Sequence, residues 1–449
     1  MHFMQDVDLF PCVLTCTGYG GTGSSAATNI LEEFSSVLSF GNSFECTFIH
    51  EVDGIRDLEK ALDEGHRLKV DLACKRFLNL VHTLSKQDLY KKYVSPRFYE
   101  ESLKYLKSIG IIEYDGFWHR AFELNASLSR LEVFRQKLSI GIFNSLYKDK
   151  TCNTYEPDNW HPDYYPIIQC YYGNKSENFY QETKKYISSV LQLEKLNSKY
   201  ILIDQLLPAY DVFEYSEYFN KIKTILIDRD PRDLYAISKA EWGARFIPTK
   251  NVDVFIEWYK ATRFSRKKYK ENNDLCLFMN FEELIYDYGI SLEKIKNFVG
   301  LSTAEHTKKL QCFDPKKSIK NTQVYKRYPM LENDIKRIEK ELSEYCFNFE
   351  KYPNLDIEVY SKNYVLMDDI YSIVDEFQIN GKIIEENKKH IFLYSFINTG
   401  FYNVYYSFKT RKTLKSKIKG VLKLILSVLL LPFEFIVFFC YFKHGYHVQ

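Results

Sequence analysis

Four glycines fall within one short run, Gly18, Gly20, Gly21 and Gly23, with Tyr19 and Thr22 between them and Ser24 and Ser25 directly after. Glycine at that density lets a backbone turn tightly and aim several N–H groups at one anion. The hydroxyls of Thr22, Ser24 and Ser25 add donors of the same kind. The run needs a strand before it and a helix after it. Val13 and Leu14, between Cys12 and Cys16, make a short apolar stretch suited to a covered parallel strand. Ala26, Ala27, Ile30, Leu31 and Phe34 then recur at helical spacing. A helix N-terminus aimed at the loop favours phosphate or sulfate. The plain alternative is a glycine-rich turn with no ligand. An ATP or GTP loop of the common form G-x-x-x-x-G-K-[ST] is disfavoured, because Ser24 stands where its Lys belongs. The run also matches G-x-G-x-x-G formally, but no acidic residue closes a second strand to support a dinucleotide fold.

A second group of charged residues lies far downstream. Tyr200–Ile203 reads as a strand, residues 215–223 as a short helix, and Lys223–Ile227 as another strand. Two strands joined by a helix form a βαβ unit and a parallel sheet. Asp228, Arg229, Asp230, Pro231, Arg232 and Asp233 follow, with Pro231 suited to the first turn of a helix that runs to Ser238. Arg229 leaves the strand end beside that helix, where a guanidinium can clasp a phosphate with two parallel hydrogen bonds. The competing reading is a surface network in which these Asp and Arg residues pair among themselves. A third group is His50, Glu51 and Asp53, at the end of a strand expected over Cys46–Ile49 and before Gly54 and a helix. Functional side chains gather at the carboxyl ends of strands in open parallel sheets, so the three are candidate proton acceptors. They read equally as acids decorating a helix N-terminus. Lys75 and Arg76, on a helix over Lys69–Val81, are candidate cations for the same site, or a solvated face.

Tyr19–Ser25 resembles, position for position, the Y-P-K-S-G-T-T phosphosulfate loop of sulfotransferases. Arg229 to Ser238 resembles that family's second signature, R-[ND]-P-[RK]-D-x-x-x-S, with the Ser one residue further on. The resemblance implies a donor, 3′-phosphoadenosine 5′-phosphosulfate (PAPS). Tyr19, Gly20, Gly21, Thr22, Gly23, Ser24 and Ser25 would hold its phosphosulfate, and Arg229 and Ser238 its 3′-phosphate. The family's loop Lys falls on Gly21, so another cation or the backbone N–H groups must carry its charge. The strand that ends K-T-H-L-P in cytosolic members reads Asp204-Gln205-Leu206-Leu207-Pro208 here, with Leu206 at the His position. The base is then sought elsewhere. In glycosaminoglycan-type members it is a Glu beyond the loop, and Glu51 and Asp53 are similarly placed, with Asp204 a further candidate. Leu275–Leu284 looks like the family's Y-E-D-L segment, and Ile295–Leu301 like its helix before F-L-G-L. Lys316–Thr322 falls where a basic loop closes over the nucleotide, so Lys320 and Asn321 are candidate phosphate donors. The implied fold is a three-layer α/β/α of the P-loop NTPase type with a central parallel sheet. The implied reaction is in-line sulfuryl transfer that requires no metal.

The chain has 449 residues, enough for one large domain with appendages. Its hydrophobic content of 45% and charged content of 27% are those of a globular protein. A net charge of +2 provides no field for nucleic acid, so any basic site is local. Ten cysteines without C-x-x-C pairs suggest neither zinc nor a disulfide framework, and reduced thiols are expected. Met1–Asp8 is too short and polar for a signal peptide. The domain layout read from sequence is an α/β domain over 1–330 with a helical insert at about 60–150, an extension over 331–408, and a tail over 409–449. Aromatic residues such as Tyr114, Phe117 and Trp118 in the insert suit a sugar ring or a core equally. Residues 151–178 read as irregular loop. The tail combines a basic run (Lys409, Arg411, Lys412, Lys415, Lys417, Lys419, Lys423) with an apolar stretch from Leu424 to Phe442, interrupted by Pro432 and Glu434. It is expected to meet the membrane as a hydrophobic helix, spanning or in-plane, with the basic run on anionic head groups. The positive-inside rule then leaves the catalytic domain in the cytoplasm. The expected acceptor is a hydroxyl or amine of a glycan or lipid-linked saccharide. The rival readings are a P-loop kinase or nucleotide hydrolase, and a non-catalytic membrane-bound nucleotide-binding protein.

Overall fold

Cys12–Gly18 buries side chains toward both sides of its strand, and the rest of the fold supplies a cover for each side. Val13 joins one apolar cluster, while Leu14 and Cys16 join another. The computed structural model describes residues 11–116, 138, 168–243, 246–270, 274–353, 355–361, 364 and 366–368. The chain divides into two units, Met1–Ser238 with Arg245–Lys362, and Lys239–Ala244 with Asn363–Gln449. Every element named below belongs to the first.

In chain order the elements begin with β1 (Cys12–Gly18), α1 (Ser24–Leu31) and β2 (Val37–Ser39). Then come α2 (Ile55–Glu64), α3 (Arg67–Leu84), α4 (Asp88–Tyr93), α5 (Phe98–Ser108), β3 (Ile112–Gly116), β4 (Ile168–Tyr172) and α6 (Phe179–Val190). The second half holds β5 (Tyr200–Leu202), α7 (Val212–Ser216), β6 (Ile222–Asp228), α8 (Pro231–Ile237), α9 (Val252–Thr262), α10 (Arg266–Lys270) and β7 (Cys276–Asn280). It closes with α11 (Phe281–Tyr286), α12 (Tyr288–Val299), α13 (Pro315–Ser318) and α14 (Glu332–Glu341).

The main sheet has the order β2-β5-β1-β6-β7, and every neighbouring pair is parallel. One face is covered by α1, α11 and α12 through Ala27, Ile30, Leu284, Ile295 and Val299. The other is covered by α2, α3, α5 and α6 through Leu58, Phe77, Phe98 and Ile187. A parallel sheet covered on both sides is the expected α/β/α arrangement, and it explains why β1 and β6 read as apolar runs without alternation. All its strands point the same way, so the ends of β1, β5 and β6 share one edge.

Several local expectations need correction. Cys46–Ile49 is not a strand. The N–H groups of His50 and Glu51 both donate to the Thr47 carbonyl, which makes a turn, and only Glu45 bridges to the sheet, at Asp204. Val37–Ser39 takes the strand position beside β5 instead. The helix expected over 215–223 is Val212–Ser216, because Ile222 and Lys223 are drawn into β6 by pairing with β1. Although β5 and β6 are parallel, β1 lies between them. The insert is helical through α5, but Ile112–Gly116 and Ile168–Tyr172 then pair antiparallel, across chain that read as helix and loop. Asp71 on α3 ties that ribbon down by accepting the Tyr171 N–H at 2.7 Å. The stretch expected as a basic loop is ordered as α13 and a 3-10 turn over Ile319–Asn321. Phe117, Trp118 and the tail from 409 lie outside the described residues. No helix among the described residues is long and apolar enough to cross a membrane.

Candidate functional site

The glycine run joins the end of β1 to α1, and its conformation accounts for its composition. Gly20, Gly21 and Gly23 have φ of 88°, 67° and 88°, a left-handed region that L side chains rarely occupy. Gly18 is wanted for another reason: a Cβ there would lie 2.8 Å from the Ile227 carbonyl oxygen. Thr22 does not offer its hydroxyl to a ligand. It is buried and donates to Ile227 O at 2.7 Å, fastening the loop to β6. Ser24 accepts from Gln205 Nε2 at 2.8 Å, and Ser25 is exposed at the helix start. Tyr19 packs against the apolar cluster that contains Leu58, Phe77 and Ile187. Its ring lies 4.4 Å from the Arg263 guanidinium, and burial pushes its phenol well up.

Arg229 follows β6, the strand next to β1, and turns toward this loop. Its Nη1 lies 3.4 Å from the Gly21 carbonyl and its Nη2 donates to the Asn321 carbonyl. The guanidinium carbon sits 5.1 Å from the centre of the Phe281 ring, the same ring that packs against Gly23. Arg229 Nε and Ser238 Oγ are buried with no hydrogen-bond partner among the described residues. The acidic neighbours are not a surface network. Asp230 takes Arg232 at 2.6 Å, the one pairing within the motif that its spacing suggests. Asp228 takes Arg263 at 3.0 Å and Arg266 at 3.3 Å. Asp233 accepts the backbone N–H groups of Gln323 and Tyr325, holding the 319–325 turn against the site. Burial, then the charge of Asp230, raises Asp233 to about 7 and pushes Glu282 well up. Lys320 is exposed, and its backbone carbonyl is taken by Arg327.

The three candidate bases separate cleanly. His50 sits at the loop side of the sheet, its Nε2 2.8 Å from the Gln205 carbonyl, and burial lowers its pKa. Glu51 is exposed and accepts from Thr47 Oγ1 at 2.9 Å. Asp53 lies 3.9 Å from Arg76 in the turn before α2. Asp204 is buried beneath α1, where Thr28 Oγ1 donates to it at 2.7 Å, so no acceptor reaches it. Desolvation pushes its carboxyl up to about 7. Lys75 is buried and paired with Asp71 at 2.7 Å beside the β3–β4 ribbon, so it is not a substitute for a loop lysine. Arg76 is half exposed and contacts Asp53 alone among the described carboxylates.

Four residues at the site carried no signal in the sequence. Gln205 links Thr17, Ser24 and His50. Arg263 is enclosed between the rings of Tyr19 and Tyr259. Arg266 shares Asp228 with it. Phe246, 64% exposed, lies over Gly20. Arg263 and Arg266 thus share one buried carboxylate, Asp228, beside the Tyr19 ring. Among the described residues, no group of three or more His, Cys, Asp or Glu is placed to hold a metal.

No family model matches the chain, and no curated protein matches it. Among solved structures, the sulfotransferase STF9 from Mycobacterium avium is similar over 78% of this chain and 77% of its own, at 12% sequence identity and a TM-score of 0.28.

Proposed function

We propose that the chain is a sulfotransferase that takes PAPS as donor and passes its sulfuryl group to a hydroxyl or amine. The observation that carries this is the approach of Arg229 to the Gly21 carbonyl across 208 positions of sequence. It puts the arginine after β6 against the glycine loop after β1, at the shared carboxyl edge of two paired strands. In this reading the loop N–H groups and the start of α1 hold the phosphosulfate and stabilise charge on the leaving oxygen. Arg229 takes the 3′-phosphate, with Ser238 behind it. The unpartnered Arg229 Nε and Ser238 Oγ are polar atoms that a phosphate would satisfy. Arg263 and Arg266 supply local positive charge in place of the lysine. Lys320 lies on the turn beside Arg229 and reaches the ligand from the solvent side.

The acceptor in this reading is a glycan or lipid-linked saccharide, and the basic, apolar tail holds the enzyme at a membrane with its catalytic domain on the cytoplasmic side. Calorimetric titration with 3′-phosphoadenosine 5′-phosphate (PAP), against ATP–Mg²⁺, tests the donor. The expected result is tight PAP binding that weakens about 100-fold in Arg229→Ala, the loss of a charge-assisted pair. Binding of ATP with indifference to a 3′-phosphate would overturn it and favour phosphoryl transfer.

A further inference from the structure

We infer that the cavity at the amino ends of β1, β5 and β6 is a second binding site, for a ligand carrying two or more phosphate groups. The site is independent of the donor reading. The glycine loop lies at the other end of the same strands, about 20 Å away along β1.

The cavity has a volume of about 700 Å³, the size of a ligand site. Lys195, Lys199, Lys221 and Lys223 line it, and Glu194 is the one described carboxylate in its wall. Glu305 also acts on Lys199 from nearby. Backbone pairing places the lysines. The Lys199 carbonyl accepts the Cys12 N–H at 3.1 Å, and the Lys221 carbonyl accepts the Val13 N–H at 3.0 Å. These two residues therefore stand on either side of β1, and strands two places apart in a sheet are about 10 Å apart. Positive charge spread over that width suits several anionic groups better than one. Lys195 donates to Gln192 Oε1 at 3.3 Å, Lys223 donates to the Phe298 carbonyl, and Lys199 Nζ lies 4.9 Å from the centre of the Tyr200 ring. Those partners are neutral and leave the lysine charge in place, and a cleft lined by one sign of charge concentrates counter-ions. The carbonyl end of α12, which would repel an anion, is covered: the Tyr200 hydroxyl donates to the Val299 and Gly300 carbonyls at 3.1 Å each.

A smaller recess adjoins the cavity, with Pro11, Leu193 and Lys221 common to both walls. Lys184 and Ser188 line the recess. Ser188 is 5% exposed, and its Oγ has no hydrogen-bond partner among the described residues. A buried hydroxyl left unpaired is costly, and a phosphate oxygen in the recess would satisfy it.

The test is calorimetric titration of the full-length chain with inositol trisphosphate, with inorganic phosphate for comparison. The variants are Lys199→Gln with Lys221→Gln, Ser188→Ala, and Arg229→Ala. Lys199 and Lys221 are exposed, so the ligand-free thermal midpoint of the double variant should stay within about 2 °C of wild type. Trisphosphate is expected to bind more than about tenfold tighter than inorganic phosphate, to raise the thermal midpoint, and to weaken with added salt. Its affinity should fall about 10- to 100-fold in the lysine double variant and about three- to tenfold in Ser188→Ala. Arg229→Ala should not change it. Co-sedimentation with phosphatidylcholine vesicles carrying phosphatidylinositol bisphosphate separates the sources of the ligand. A drop in the lysine variant marks a lipid headgroup; vesicle binding unchanged by that variant, beside tight binding of free trisphosphate, marks a soluble ligand. The inference is overturned by absence of trisphosphate binding in both assays, by an affinity no better than that of inorganic phosphate, by equal binding in the lysine variant, or by loss in Arg229→Ala instead. None of these results bears on PAP binding, and absence of PAP binding with trisphosphate binding retained overturns the donor reading alone.

Discussion

At Gly23 the backbone φ is 88°, and an added Cβ would come within 2.5 Å of the Phe281 ring. Gly23→Ala should therefore cost about 1–3 kcal/mol of stability in urea unfolding and weaken PAP binding more than tenfold, because Phe281 also carries Arg229. Ser25→Ala, at an exposed position, should leave the unfolding midpoint unchanged. Arg263 is a second residue whose role was invisible in sequence. Its side chain is fully enclosed, against Tyr259 and Tyr19, and paired with Asp228. Arg263→Met should destabilise by about 3–5 kcal/mol, because it leaves the buried Asp228 carboxylate with Arg266 alone. Arg263→Lys should rescue little, since an ammonium does not stack as a flat guanidinium does. Full rescue by Lys in the same denaturation series would reduce the site to simple charge pairing.

The helix that follows the loop has its own liability. Asp204 at the end of β5 lies under α1 with its carboxyl raised to about 7, chiefly by desolvation. The value in the folded chain is above that in the unfolded chain, so folding strengthens proton binding. This group's contribution to stability is therefore largest below about pH 4 and is lost as pH rises through 7. Asp204→Asn keeps an acceptor for Thr28 Oγ1 and removes the titration. The expected outcome is a thermal midpoint raised by a few degrees at pH 8, with little change at pH 5. A uniform loss at both pH values would mean that the Thr28 contact, not the charge, dominates. At this scale the pattern-bearing elements were legible. β1, α1, β6 and β7 follow from apolar runs and helical periodicity, whereas α12 is legible only through a resemblance over Ile295–Leu301. Cys46–Ile49 misled because Cys46, Phe48 and Ile49 are all buried, as a covered strand would be, while the chain turns at Thr47. The β3–β4 ribbon was hidden because its strands are separated by fifty-one residues and neither has a strong alternating pattern of burial.

At the scale of the molecule, the sheet order β2-β5-β1-β6-β7 brings three distant stretches to one edge. The loop after β1, Gln205 after β5 and Arg229 after β6 become neighbours because their strands are adjacent and parallel. The tail enters as a separate expectation. Replacing Lys412, Lys415, Lys417 and Lys419 together by Gln in the full chain should sharply reduce co-sedimentation with phosphatidylserine vesicles, at about 1 kcal/mol per charge. Undiminished binding would exclude an electrostatic anchor and leave the apolar stretch to act by itself.

Local composition alone determined that Gly18–Gly23 is a tight loop between a strand and a helix, that Arg229 stands at a strand end, and that the chain alternates strands with helices. Those features depend on backbone freedom and on periodicity, which neighbouring residues encode. Three further points were settled only in the tertiary structure. Thr22 is an anchor, because its hydroxyl meets a carbonyl of β6 rather than open space. Asp204 is covered, because α1 lies across it. His50, not Glu51 or Asp53, faces Gln205, because the turn at Thr47 directs one of three adjacent side chains inward. Each depends on contacts between residues distant in sequence, and periodicity holds no information about those.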